Sequence, residues 1–295
     1  MKQPGNAIKY LLSLLLILAC TSSAGAANKS FVWEVQSETA TVFVHGSIHF
    51  AKPEMFPLAG AIEDGFERSA NLVVEVNPVT LDQQKMQQLL VEKGMYSSGR
   101  TIRDDLSPEV FRMLVAHLEK NRIPLEKLER MRPGLLAMTL VTMQIMKLGY
   151  RPEYGIDKYF SLKAAREKKN ILELETMEEQ LDMLLNMPDE NLYLKFTLQD
   201  LDIIEKLFNN IIMLWSSGDA AGMNEAILGP YEKNPEFTMI LDKLFFARNT
   251  RMTDRIQDFL KTDQTYFVVV GAGHLVGDKG IITLLKKAHY KVRQL

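Results

Sequence analysis

Two short segments of the chain read almost alike: Gly46-Ser47-Ile48-His49 and Gly271-Ala272-Gly273-His274. Each follows an apolar, β-branched run, Thr41 to Val44 in one case and Tyr266 to Val270 in the other. Each precedes a polar turn and then a stretch of helical character. In an open α/β sheet ligands bind outside the carboxyl ends of the strands, so two strands each delivering Gly-x-x-His would bring two imidazoles to one crevice. Neutral imidazole is the commonest transition-metal ligand near neutral pH.

Glu75 belongs with them. It interrupts Leu72-Val73-Val74-Glu75-Val76, otherwise the pattern of a strand buried on both faces. A buried carboxylate needs a metal, an arginine or hydrogen-bond donors to keep its charge. His49, His274 and Glu75 would make a three-ligand metal site with a position left for water, as in catalytic zinc centres. Pairing of Glu75 with a lysine or arginine for structure alone is the competing reading.

Arg248 is a second charge in apolar company. It fills the gap in the stripe Leu241, Phe245, Met252, Ile256 and Phe259, three residues from one neighbour and four from the next. It must meet an anion there: Glu75, Glu175 or a bound substrate. Glu175, near the end of its strand, ranks second as a ligand or supporting group. His45 also ranks second, because a histidine inside a strand more often simply packs. Thr176 and Glu179 form a capping box that starts the next helix. His117 and His289 read as solvated helix residues.

The elements that must position these groups are strands at Phe31–Val35, Thr41–Val44, Leu72–Val76, Asn170–Leu174, Tyr266–Val270 and Tyr290–Gln294. Gln36-Ser37-Glu38-Thr39 joins the first two as a hairpin. Pro57 to Ala70 and Asp278 to Ala288 read as helical crossovers. The pattern predicts an α/β fold with a mixed, mostly parallel sheet, two strand-GxxH-helix-strand units and a large helical lobe inserted at about 78–169 and 176–262. Gly134 to Met146, with Met138, Met143 and Met146, reads as a core helix rather than a methionine copper site. There is no GxSxG elbow, P-loop, HExxH or GxGxxG, so serine-hydrolase, nucleotide-hydrolase and Rossmann chemistry lack support.

Residues 1–26 read as an export signal: Lys2 and Lys9 precede an apolar stretch, Leu11 to Ala19, too short to span a bilayer. Ile17-Leu18-Ala19-Cys20 has the form of a bacterial lipobox, in which Cys20 would be lipidated; Ala24-Gly25-Ala26 has the form of an ordinary cleavage site. The chain's one cysteine falls where the lipobox requires it, which favours a periplasmic protein anchored to the membrane through Cys20. The remaining domain, 27–295, would hold no cysteine, which excludes disulfides and thiol catalysis. Without Lys2 and Lys9 it carries 33 basic against 37 acidic residues, a net charge of −4, and no basic block suggests a nucleic-acid partner.

The chain resembles the TraB/GumN family, also written TraB/PrgY/GumN and related to the Tiki metalloproteases. The resemblance runs through Val44-His45-Gly46-Ser47-Ile48-His49, Leu72 to Val76, and Gly155-Ile156-Asp157-Lys158-Tyr159-Phe160. It continues through Leu174-Glu175-Thr176 with Gln180, Arg248-Asn249 with Met252, and Val270 to Gly277. It implies a centre of two GxxH motifs and a glutamate, which fall on His49, His274 and Glu75, and it adds Asn249 as a second-rank site residue. Most relatives carry threonine where Ser47 stands and a small or aliphatic residue where His45 stands.

The expected function is an exported metal-dependent hydrolase of peptide or amide bonds using Mn²⁺, Co²⁺ or Zn²⁺. Glu75 would be the third ligand or the base, and Arg248 an anion clamp. The alternative is a non-catalytic envelope protein that sequesters a peptide, small-molecule or haem-like ligand.

Overall fold

Short β-branched runs bounded by polar turns come together as a six-stranded mixed sheet. The computed structural model describes residues 29–97 and 99–295. Cys20 and both expected cleavage points lie outside the described residues. The strands are β1 (Val32–Gln36), β2 (Thr41–Ser47), β3 (Asn71–Val74), β4 (Asn170–Glu173), β5 (Thr265–Gly271) and β6 (Lys291–Gln294), in spatial order β4-β3-β5-β2-β1-β6. β4, β3, β5 and β2 pair in parallel, and β1 lies antiparallel to both β2 and β6. The sheet is mixed and mostly parallel, as the sequence implied.

The hairpin between β1 and β2 closes where Ser37 Oγ accepts the Ala40 N–H at 2.9 Å. From β2 the chain crosses toward β3 and β4, whereas from β5 it leaves toward β6. Connections of two neighbouring strands thus depart in opposite directions, and a crevice opens at their carboxyl ends.

Two strand ends differ from expectation in a way that shapes this crevice. β2 runs on to Ser47, because parallel pairing with β5 continues to the pair Ser47 and Gly271. Gly46 permits that extension: a Cβ there would stand 2.5 Å from Phe31 Cδ1 and 3.1 Å from the Ala272 Cα. β3 ends early, at Val74, so Glu75 sits just past its strand.

The helical lobe includes Gln83–Gly94, Pro108–Lys120, Pro133–Lys147, Met177–Leu185 and the 27-residue helix Glu190–Ser216. Pro133–Lys147 packs against Glu190–Ser216, burying Leu136 and Leu140 with Leu194, Leu198 and Leu201 in a core separate from that of the sheet. Trp215, near the end of the long helix, donates to the Gly46 carbonyl at 2.6 Å and ties the lobe to β2. Among the described residues no helix is long and apolar enough to cross a membrane.

One histidine departs from its solvated reading and another from its place on a helix. His117 is buried, because it shares the inward face of its helix with Val110, Leu114 and Leu118. His289 is exposed but lies in the turn after helix Ile281–Lys287, with φ of 67°.

Candidate active site

Glu75 is 8 % exposed, and both its oxygens are engaged. Oε1 accepts the Gly271 N–H at 2.6 Å. Oε2 accepts from Gln180 Nε2 and from Arg248 Nη2, each at 2.8 Å. Backbone pairing continues just beyond β3 and β4, where the Glu175 N–H donates to the Glu75 carbonyl at 2.9 Å, and this sets the two glutamates abreast. The Thr176 capping box then starts helix Met177–Leu185, and Gln180, one turn in, reaches Glu75 at 2.8 Å and Glu175 at 3.2 Å.

Arg248 enters from helix Ala247–Leu260, directly after a π-helical turn at Asp242–Phe246. Its Nε donates to Glu175 Oε1 at 2.8 Å, and its Nη2 donates to Glu175 Oε2 at 2.6 Å as well as to Glu75. Nη1 donates to the Leu244 carbonyl at 3.0 Å. A guanidinium has five N–H donors, and four are committed here. Both carboxylates that the sequence offered as partners are therefore partners.

The two histidines arrive at the same place. His274 sits on the short turn Ala272–His274 after β5, 5 % exposed, with Nε2 3.9 Å from Glu75 Oε1. Its Nδ1 lies 2.6 Å from Asn249 Oδ1, and Asn249 is itself fixed by donating to the Lys279 carbonyl at 2.9 Å. An amide oxygen only accepts, so Nδ1 carries the hydrogen and Nε2 presents its lone pair toward Glu75. His49 Nδ1 lies 3.3 Å from Asp157 Oδ1. Gly155 makes that approach possible: a Cβ there would stand 2.6 Å from the His49 carbonyl oxygen, while the Ile156 N–H bonds to the Ile48 carbonyl. A Cβ on Gly271 would meet Glu75 Oε1 at 3.5 Å, His274 Cδ2 at 3.5 Å and His49 Nε2 at 3.9 Å, so this glycine marks the centre of the group.

Electrostatics separate the roles. Burial opposes charge on Glu75, yet the surrounding positive charge and the Gly271 N–H outweigh it and hold its pKa at about 2. Burial also pushes His274 down to about 4, leaving it neutral near pH 7, so Arg248 supplies the lasting positive charge. The Asp157 carboxylate pulls the pKa of His49 upward. The His49 side chain is 57 % exposed, and water screens that attraction. The group lines a cavity of about 380 Å³ that includes Ser47, His49, Glu75, Gln180, Arg248 and His274.

The donor set suits a divalent transition ion in part. A metal-bound histidine characteristically holds its second nitrogen against a carboxylate or carbonyl, and both His49 and His274 do so. Glu75 Oε1 keeps one lone pair beside the Gly271 N–H. As they stand, however, no three His, Cys, Asp or Glu side chains among the described residues are grouped closely enough to hold one ion.

Of the other candidates, Glu175 and Asn249 join the group through Arg248 and His274. His45 does not. Its Nδ1 lies 2.9 Å from the Phe31 carbonyl, and its ring packs among Phe160, Trp215 and Phe267 in the core. Gln180 and Asp157 received no role from the sequence, although both belong to segments that carried the family resemblance. The available signals were a glutamine one turn into a capped helix, and a carboxylate two residues after a glycine.

Residues 31–294 match the model of the TraB/PrgY/gumN family. The uncharacterized protein YbaP of Escherichia coli (strain K12) is 28 % identical over 243 residues, covering 82 % of this chain and 86 % of its own length. A metalloprotease TIKI homolog of Nematostella vectensis is 22 % identical, covering 94 % of this chain and 69 % of its own. Metalloprotease TIKI1 of Xenopus tropicalis is 23 % identical, covering 96 % and 67 %. No solved structure matches.

Proposed function

From a chain that belongs to the TraB/PrgY/gumN family, and whose two GxxH histidines converge on a buried glutamate, we propose a metal-dependent hydrolase of peptide or amide bonds. The observation that carries this reading is the shared arrangement of His49 and His274. Each has Nδ1 against an oxygen and Nε2 toward Gly271 or Glu75. These two nitrogens would hold the ion, and the exposed His49 is the side chain with room to close on it. A bound Mn²⁺, Co²⁺ or Zn²⁺ would supply Lewis acidity toward the scissile carbonyl and a more acidic water. Relatives named as metalloproteases support the class of reaction.

Glu75 keeps its negative charge and a fixed position. Its Oε1, fixed beside the Gly271 N–H, would orient a water or ligand, or act as the base. Asp157 and Asn249 fix the tautomers of His49 and His274. Arg248 holds Glu75 and Glu175, with one N–H to spare for an anion.

The test is elemental analysis of purified protein after exposure to Mn²⁺, Co²⁺ or Zn²⁺, beside His49→Ala and His274→Ala. About one ion per chain is expected for the parent and none for either variant, with unchanged circular dichroism. No metal in the parent would sink the reading. The apolar side of the same cavity, at Ile211, Ile227, Leu244 and Phe245, supports a second reading, in which it captures a peptide or haem-like ligand without cleaving it. New termini in an incubated peptide library separate cleavage from capture.

Export belongs to the same proposal, supported by the character of residues 1–26. If Cys20 is the anchor, Cys20→Ala moves the protein from the membrane to the soluble envelope fraction. Unchanged membrane retention would rule the anchor out.

A further inference from the structure

Beside the candidate active site lies a second cavity, of about 250 Å³, between helix Glu190–Ser216 and the segment that leads to Arg248. Its walls are mostly apolar. Phe196, Tyr231 and Phe237 form an aromatic cluster on one side, with ring centroids 4.9 Å apart for Phe196 and Phe237 and 4.7 Å for Tyr231 and Phe237. Ile204 and Leu207 contribute from the long helix, and both are only half-buried.

The two cavities share a partition. Ile211, Ile227, Leu244 and Phe245 line both. Leu244 and Phe245 fall in the π-helical turn Asp242–Phe246, whose wider coil sets them apart from the regular stripe that follows. The site loop is shaped to receive the partition. A Cβ on Gly273 would stand 2.9 Å from Phe245 Cε1 and 3.4 Å from Ile227 Cγ2, so the residue before His274 has no side chain where these two press in. The Phe245 ring packs against the His274 ring, centroids 5.2 Å apart. Polar groups interrupt the walls at Tyr193, at Thr197 and where the Tyr231 hydroxyl donates to the Asp200 carboxylate.

Resting on the hydrolase reading above, we propose that this apolar cavity is a specificity subsite that takes an aromatic or branched aliphatic side chain of the substrate next to the bond presented at His49, Glu75 and His274. The four residues that line both cavities put the occupant beside whatever the active-site cavity holds, so the natural occupant is a side chain of that same ligand. The half-buried aromatic lining suits a ring or branched chain, which gains from leaving water, over a methyl group, which fills little of the space. Asp200 would repel an acidic side chain from the same place.

Binding can be read without cleavage. In protein carrying ¹³C-labelled isoleucine δ1 methyl groups, N-acetyl-phenylalaninamide and N-acetyl-leucinamide should shift the Ile204, Ile211 and Ile227 signals, while Ile62, buried beneath the sheet, stays fixed. N-acetyl-alaninamide and the corresponding glutamic acid amide should bind about tenfold more weakly or less. Ile204→Trp, or Leu207→Trp should the first misfold, fills the cavity and should abolish the shifts. Equal shifts from the alanine and phenylalanine amides, or none at these three methyls, would overturn the subsite. If the methyls respond but no library peptide is ever cut, the hydrolase reading fails while the apolar binding site stands. If peptides are cut without apolar preference and the methyls are silent, the subsite fails alone.

Discussion

Glu75 and Arg248 meet at 2.8 Å inside the protein, and Glu175 shares the same guanidinium at 2.6 Å. One positive charge thus serves two buried carboxylates. Removing it leaves Glu75 without its guanidinium and Glu175 with only the exposed Arg251, 3.8 Å away, and an uncompensated buried charge is far costlier than a missing surface pair. Arg248→Met, similar in length and apolar, should lower unfolding stability by about 3–5 kcal/mol in urea denaturation. A variant as stable as the parent would show that Arg248 acts on a ligand rather than on the two glutamates.

Part of this arrangement was legible in the chain. Glu75 stood out as a charge in an apolar strand, and Arg248 as a charge in an apolar helical stripe. Each needed an opposite charge, so their pairing followed from burial alone. What periodicity could not show was which carboxylate Arg248 would choose. The extension of backbone pairing past β3 and β4 brings Glu175 abreast of Glu75, and the answer is both. Asp157 and Gln180 stayed without a role because nothing local marks a helix-borne polar residue as an inward partner. Their neighbours His49 and Glu75 lie about a hundred positions away in sequence. The solvated reading of His117 failed because the charges around it occupy the outer face of its helix, while its own position lies over Val110 and Leu114.

His45 gives a pH dependence that is separate from the active site. Burial lowers its pKa to about 4, against 6.5 for the free side chain, so the unfolded chain binds its proton more readily than the folded one. The folded state therefore keeps its full stability above about pH 6.5 and loses it progressively as the pH falls toward 4. The loss should approach about 3 kcal/mol. His45→Phe suits the surrounding aromatic rings and leaves the Phe31 carbonyl its bond from the Gly46 N–H. Urea titrations between pH 7 and 4 should show a shallower decline in this variant. Identical slopes would mean that another group titrates.

Asp157 and Asn249 should matter through the histidines they hold. With Asp157→Ala, His49 loses the group facing Nδ1 and its ring is free to turn. With Asn249→Leu, the His274 N–H is left buried and unpaired. Partners of metal-bound histidines usually contribute about 10–100-fold in metal affinity. Titration with Co²⁺, followed by its visible absorption, should show losses of that size in both variants. If Asp157→Ala binds Co²⁺ as the parent does, His49 is not oriented by Asp157 in the bound state.

Gly271→Ala is the smallest change that distinguishes filling the site from dismantling it. The backbone at Gly271, with φ of −52° and ψ of 136°, is open to alanine without strain. The added methyl carbon would rest 3.5 Å from Glu75 Oε1 and from His274 Cδ2, and 3.9 Å from His49 Nε2, all ordinary contact distances. The Gly271 N–H that bonds Glu75 is retained. Stability should therefore change by less than about 1 kcal/mol, since no clash is made and no hydrogen bond is lost. The methyl nevertheless occupies the space on which all three candidate groups converge, where an ion or a reacting water would have to sit. Metal uptake and any peptide cleavage should fall together by tenfold or more, with the unfolding midpoint unmoved. A variant that keeps both would place the reacting centre away from Gly271, and with it away from the pair of GxxH histidines.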